Sequence, residues 1–169
     1  KEVIGSAVTN LDIHDIARAA CTYGVDSYYI VTPYKDQQKL VEEITDHWKT
    51  GYGATHNPAR KRALEIVKIA SSIEEVIKTI TKEKKSPVIA ATSARKIEKT
   101  VTYKKCREMI TSENIRVLIL FGTAHGMAPE IMEKTDICLP PITGTGNYNH
   151  LSVRSAASII LDRLSSDRQ

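Results

Sequence analysis

The sequence predicts an α/β fold with a mainly parallel sheet flanked by helices, and three observations carry that expectation. Five short runs rich in β-branched and aliphatic residues end in turn residues: 26–33 (DSYYIVTP), 66–70, 87–93 (PVIAATS), 116–123 (RVLILFGT) and 136–141 (DICLPP). These are the pattern of strands buried on both faces. Segments of helical periodicity separate them, as parallel strands joined by crossover helices require. The length, 169 residues with 41% hydrophobic and 26% charged, fits one soluble domain of roughly 100–200 residues spanning 1–169.

Each element has a local reason. The chain opens at Lys1 without a methionine and enters a strand-like run at 3–8, so the first element is expected to be incomplete. A helix over 12–23 follows, with Asp12 expected as its N-cap. Strand 26–33 leads to a helix over 36–50. The glycine-rich, aromatic stretch 51–57 (GYGATHN) is expected to be a mobile loop or a plain connection. Asn57 before Pro58 is an N-cap with proline in the first helical position, opening a helix over 58–65. After strand 66–70, Ser72 followed by Glu75 forms a capping box for a helix over 72–84. Helices over 103–112, 129–134 and 151–165 alternate with the remaining strands. No internal repeat or low-complexity stretch is present.

Composition removes several function classes. The longest unbroken apolar run, 117–121, falls far short of the ~20 residues that cross a bilayer, and no basic-then-apolar signal opens the chain. A cytoplasmic protein is expected. Cys21, Cys106 and Cys138 suggest neither a disulfide framework nor a clustered zinc site. His125, His150 and Cys138 lack the close pairing of zinc ligands, so no metal is expected. Met109, Met127 and Met132 are expected to be packing residues. Net charge is +4, yet residues 58–107 hold 14 Lys and Arg against 5 acids, whereas the remainder holds 10 against 15. That band is either a phosphate-contacting surface or a set of solvated helix faces.

In open parallel sheets, ligands sit beyond the carboxyl ends of the strands. Three such ends are unusual here: Thr92-Ser93-Ala94, Gly122-Thr123-Ala124-His125-Gly126, and the long segment 142–150 (ITGTGNYNH). None is a Walker loop or a dinucleotide fingerprint, because the glycine spacing is wrong and no lysine follows. Small residues and unencumbered backbone suit an uncharged adenosine with a sulfonium side chain, although Gly122 and Gly126 also fit ordinary turns.

The order of these motifs resembles the SPOUT class of S-adenosylmethionine-dependent RNA methyltransferases, in particular its small stand-alone bacterial members. The resemblance is carried by LILFGTAHGMAPE (118–130), by ICLPPITGTGNYNHLSVRSAASIILDRL (137–164) and by VTNLDIHDIARAACTYGVDSYYIV (8–31), where Arg18 matches a first-helix arginine of that class. It implies a trefoil knot over roughly 116–165, a homodimer, and an RNA substrate, tRNA or rRNA. It also implies S-adenosylmethionine bound by three loops. These are Thr92, Ser93 and Ala94; Phe121, Gly122, Thr123 and Gly126; and Leu139, Pro140, Ile142, Gly144 and Asn147 with Leu151 and Ser152. The chain departs from the class in two places. Ala124 and His125 stand where many relatives carry a glutamate, and either Asn149 or His150 takes the place of an asparagine before the last helix. Ribose 2′-oxygen and base nitrogen therefore both stay open as the methylated atom.

On this reading Arg18 orients a phosphate or stabilises charge on the nucleophile. Asp12 either caps its helix or accepts a proton, and His150 or His125 serves as general base or as a hydrogen-bonded structural group. The apolar residues Leu151, Ile159, Ile160 and Leu164 are expected to exceed what one sheet face covers, which favours a dimer. Two other classes compete: a SPOUT-like protein that binds RNA or cofactor without turnover, and a Rossmann-like small-metabolite binding domain. Cofactor binding and product formation discriminate among the three.

Overall fold

The computed structural model describes residues 7–83, 85–95, 97–123 and 126–165. Its contacts divide the chain into two compact units, residues 2–79 and residues 80–169. Every β-ladder is parallel, as expected.

The first unit holds α1 (Asn10–Thr22), β1 (Tyr28–Val31), α2 (Lys35–Lys49), α3 (Tyr52–His56), α4 (Pro58–Glu65), β2 (Val67–Ala70) and most of α5 (Ile73–Glu83). β1 pairs with β2 from Tyr28 opposite Val67 to Val31 opposite Ala70. Helix α1 buries Ile13, Ile16, Ala17 and Ala20, the one-sided stripe that helical periodicity gives. Ile13 and Ala17 join Ile30, Val41, Leu64 and Val67 in the core.

The caps follow from local chemistry, with one correction. Thr9, not Asp12, is the N-cap of α1: its hydroxyl oxygen accepts from the Asp12 amide at 3.2 Å and donates to the Asp12 carboxylate at 2.6 Å. Asp12 thus lies in the first turn, where its charge complements the helix dipole. At the other end the Gly24 amide donates to Cys21 and the Val25 amide to Ala20. With Gly24 at φ +70°, this is a Schellman close that glycine adopts without steric cost. Asn57 caps α4 as expected, accepting from the Arg60 amide at 3.0 Å. The capping box at Ser72 forms by half. Ser72 accepts from the Glu75 amide at 3.2 Å, but the Glu75 carboxylate reaches one residue further back, to the amide and hydroxyl of Ser71. Those two bonds hold the Glu75 carboxyl below its ordinary pKa.

The stretch 51–57 is a second correction, because it contains the short helix α3. Gly53 is buried there, and a Cβ on it would stand 2.5 Å from the Trp48 ring. Glycine serves a close approach to an aromatic side chain rather than a flexible loop. The expected strand at 3–8 falls largely outside the described residues, and 7–8 carry no strand.

The second unit holds β3 (Val88–Ala91), α6 (Tyr103–Thr111), β4 (Val117–Leu120), α7 (Pro129–Glu133), β5 (Ile137–Cys138) and α8 (Val153–Ser165). Its strand order is β4-β3-β5, and its core gathers Ala90, Cys106, Leu139, Ile160 and Leu164. β5 is also bonded on its far side: the Cys138 amide donates to Lys99 and the Val101 amide to Cys138, each at 3.0 Å. The strands are shorter than the apolar runs, so residues such as Thr92, Phe121 and Leu139 lie just past the strand ends as the roots of loops.

Helix α8 begins at Val153 rather than Leu151, with Ser152 as its cap: the Ser152 hydroxyl accepts from the Ser155 amide at 3.3 Å. The expected excess of apolar surface on this helix is corrected too. Ile160 and Leu164 are buried in their own unit, Ile159 is half-buried, and only Leu151, ahead of the helix, is open at 45% exposure. Among the described residues no helix is long and apolar enough to cross a membrane, and no cluster of three or more His, Cys, Asp or Glu is placed to hold a metal ion.

Candidate functional site

Because β4, β3 and β5 run parallel, the loops that follow them leave one edge of the sheet. The loop after β3 is the middle one and is bonded to both neighbours. The Thr92 amide and hydroxyl both donate to the Leu120 carbonyl, at 3.2 and 2.8 Å. On the other side the Leu139 amide donates to Ala91 at 2.9 Å. Further out, the Asn149 side-chain amide donates to the Ala94 carbonyl at 3.0 Å, spanning 55 residues of sequence. The Tyr103 hydroxyl donates to the Pro140 carbonyl at 2.8 Å, and the Arg163 guanidinium lies 5.1 Å from the Tyr103 ring centroid. Burial raises the Tyr103 pKa, so the phenol stays a donor.

The loop after β4 turns back on itself. Gly126, at φ +90°, donates its amide to the Thr123 carbonyl at 2.9 Å. A Cβ on Gly122 would stand 2.7 Å from the Gly126 carbonyl carbon and 2.8 Å from the Met127 nitrogen. The loop after β5 is open by contrast: a Cβ on Gly144 or Gly146 would meet nothing within 4 Å. Thr143 through Ser152 are exposed.

The structure places Thr92, Ser93 and Ala94, then Phe121, Gly122, Thr123 and Gly126, then Leu139 and Pro140 just past the ends of three parallel strands, while Ile142, Gly144, Asn147, Leu151 and Ser152 follow along the last loop, which returns to Ala94 at Asn149. Their surroundings differ. Leu139 is a buried root, Phe121, Pro140 and Ile142 are half-buried, and Gly144, Asn147 and Leu151 are exposed. The Ser152 hydroxyl is engaged in capping α8. His150 is exposed, with its ring edge-on to Tyr148 at 6.4 Å. Ala124 and His125 lie outside the described residues.

Arg18 and Asp12 belong to the unit 2–79. Arg18 is exposed on α1, in line with the exposed Leu11 seven residues before it and His14 four before it. Burial, and then the nearby Arg60 charge, push the His14 pKa down, and Arg18 adds to that effect while Asp15 opposes it. Asp12 stands near Tyr28, whose phenol is raised first by burial and then by the Asp12 charge. Asn149 and Tyr103 as loop fasteners were not legible in the sequence, since both reach partners dozens of residues away.

Neither 121–126 nor 139–152 contains a lysine, arginine or carboxylate. A phosphate-rich ligand would find no counter-charge there, whereas a nucleoside fits small residues and exposed backbone. The fold is a parallel α/β one in which three loops leave one edge of the second unit's sheet. The sequence profile described as SAM-dependent RNA methyltransferase matches residues 1–166, and the chain belongs to that family. A protein of Oleidesulfovibrio alaskensis named tRNA (guanine-N(1)-)-methyltransferase is 45% identical over 165 residues, covering 97% of this chain but 38% of that protein. This chain thus spans well under half the length of that relative. An uncharacterized protein of Aquifex aeolicus is 40% identical over 164 residues, 96% of this chain and 80% of its own. Among solved structures, the SpoU methyltransferase AviRb of Streptomyces viridochromogenes in complex with AdoMet has TM-score 0.59 at 15% identity, covering 94% of this chain and 56% of that one. That likeness is one of fold, and it agrees with the SPOUT-type architecture expected from the sequence.

Proposed function

We propose that this chain is an S-adenosylmethionine-dependent methyltransferase acting on RNA, tRNA or rRNA, and that residues 1–169 work as one SPOUT-like domain in the cytoplasm. The observation that carries the reading is the three-loop edge, bonded at Thr92 to Leu120, Leu139 to Ala91 and Asn149 to Ala94. Thr92, Ser93 and Ala94, then Phe121, Gly122, Thr123 and Gly126, then Leu139, Pro140, Ile142, Gly144 and Asn147 with Leu151 and Ser152 are the residues that would hold the cofactor. When bound, the sulfonium supplies a methyl group already activated for displacement.

The rest is the work of this chain's residues. Small side chains at Ala94 and Gly144 keep the edge open, Gly122 lets the loop after β4 fold back on itself, and half-buried Ile142 offers apolar contact to a base. Arg18, exposed and forked, orients a phosphate or stabilises charge on the attacking atom. Asp12 is engaged in the first turn by the hydroxyl of the Thr9 cap, which favours a structural role over a proton-accepting one. His150, exposed beside the Asn149 fastener, is our candidate general base. The methylated atom is a ribose 2′-oxygen or a base nitrogen. Support for RNA contact includes the basic band at 58–107, although Lys105 is engaged by Glu113 at 2.6 Å and Lys84 and Lys96 lie outside the described residues.

The test combines calorimetry with transfer of labelled methyl to bulk tRNA and rRNA. Binding heat with S-adenosylmethionine and label in RNA nucleosides are expected; no heat at millimolar cofactor would end the reading. Heat without transfer would favour the non-catalytic binding protein, which the Ala124-His125 departure motivates.

The trefoil knot and the homodimer belong to the same proposal. The position of β5 between β3 and residues 99–101 supports a threaded chain. Exposed Leu151 and Tyr148, at 45% and 80%, support a covered face in a dimer. Light scattering at micromolar concentration is expected to give twice the mass of 18.8 kDa; a monomer mass would refute the dimer.

A further inference from the structure

The stack of Tyr52 on His56 lies outside the loop edge and has no part in the chemistry above. The two rings stand 3.8 Å apart between centroids at 23°. Nδ1 of His56 is 3.0 Å from the Tyr52 carbonyl oxygen, to which it donates, so the imidazole is fixed from below. Helix α3 is held in place by Gly53 against Trp48, and the Arg60 guanidinium lies 4.7 Å from the Trp48 ring centroid. One face of the Tyr52 ring is thus taken by His56, and the residue is nonetheless 72% exposed.

The charge around this pair selects what fits it. Residues 46–62 contain Lys49, Arg60, Lys61 and Arg62 and two histidines against one carboxylate, Asp46, and of these cations Lys49 donates to the Val67 carbonyl at 3.2 Å. Such surroundings repel a cation that would otherwise be drawn to a tyrosine face. They favour a flat neutral ring attached to an anion, and a nucleotide is that combination.

We propose that Tyr52, backed by His56, is a stacking platform for an unpaired base of the RNA, with the 46–62 cations drawing in the adjoining phosphates. The proposal rests on the RNA reading of function and extends it to a contact for which the family assignment gives no residue. Stacking is sequence-tolerant because every base has a π-face, so the platform engages a single-stranded or loop nucleotide of any identity.

The test is fluorescence anisotropy of the full chain at low salt with two fluorescein-labelled 12-mers, oligoadenylate RNA and an abasic strand of equal length and charge. The parent protein is expected to bind oligoadenylate more tightly than the abasic strand. Tyr52→Ala is expected to lose about 5- to 150-fold in affinity for oligoadenylate, falling to the abasic level, with abasic binding unchanged. Tyr52→Phe, which keeps the ring, is expected to bind as the parent does. Equal affinity of the parent for both strands, an unaltered base preference in Tyr52→Ala, or an equal loss on both strands would overturn the platform. Failure of the methyltransferase reading shows separately, as absent cofactor heat or absent label transfer.

Discussion

Arg18→Ala is expected to lower methyl transfer by about a hundredfold or more, the loss that follows removal of one charge-stabilising donor. Cofactor heat and RNA affinity should stay near those of the parent. Arg18 is exposed on α1 while Ile13, Ile16, Ala17 and Ala20 carry that helix's packing, so truncation leaves the core intact. Surface substitutions of this kind change stability by about 0.5 kcal/mol or less. Arg18→Lys supplies the control: it keeps the charge but loses the planar fork, and should fall between parent and alanine variant. Single-turnover rates at saturating RNA and cofactor separate transfer from binding. Full turnover in Arg18→Ala would show that the first-helix resemblance has been carried to the wrong residue.

A second large effect is expected at Gly122. An alanine Cβ there would lie 2.7 Å from the Gly126 carbonyl carbon and 2.8 Å from the Met127 nitrogen, and both are backbone atoms that cannot swing aside. The loop after β4 must therefore shift. Overpacking of this kind costs about 1–3 kcal/mol, which corresponds to roughly 5- to 150-fold in cofactor affinity if the loop is part of the site. Gly144→Ala is the matched comparison, because its Cβ would meet nothing within 4 Å. Calorimetry on both should show weakened binding for Gly122→Ala and near-parent binding for Gly144→Ala. Unchanged affinity in Gly122→Ala would remove the loop after β4 from the site.

The alternation of buried strands and amphipathic helices was legible because burial on a parallel sheet needs runs such as VLIL and VIAA, whatever their partners. Caps at Asn57 and Ser72 were legible for the same reason, since each is satisfied within four residues. Asp12 was misplaced because Thr9, Asn10 and Asp12 are all plausible caps, and only the backbone decides where the first turn begins. The stretch 51–57 read as a loop because glycine signals a turn, while its actual partner at Gly53 is Trp48. The three loops could be picked out by their small residues and their place after strand-like runs, and a cofactor role for them is what the resemblance implies. Their fastening could not, because Asn149 to Ala94 and Tyr103 to Pro140 are contacts that only the folded chain creates.

The bonding of β5 on both sides also determines where the loop after it can give way. Its root is held by backbone bonds at Cys138 and Leu139, whereas its far end is fastened, among the described residues, by a side-chain bond from Asn149. One such bond contributes about 0.5–1.5 kcal/mol, far less than a buried ladder. Release of Asn149 would free the exposed tip at 143–148 without disturbing the root. On the proposed cofactor reading, unfastening that latch would open the tip while the root of the loop stays in place.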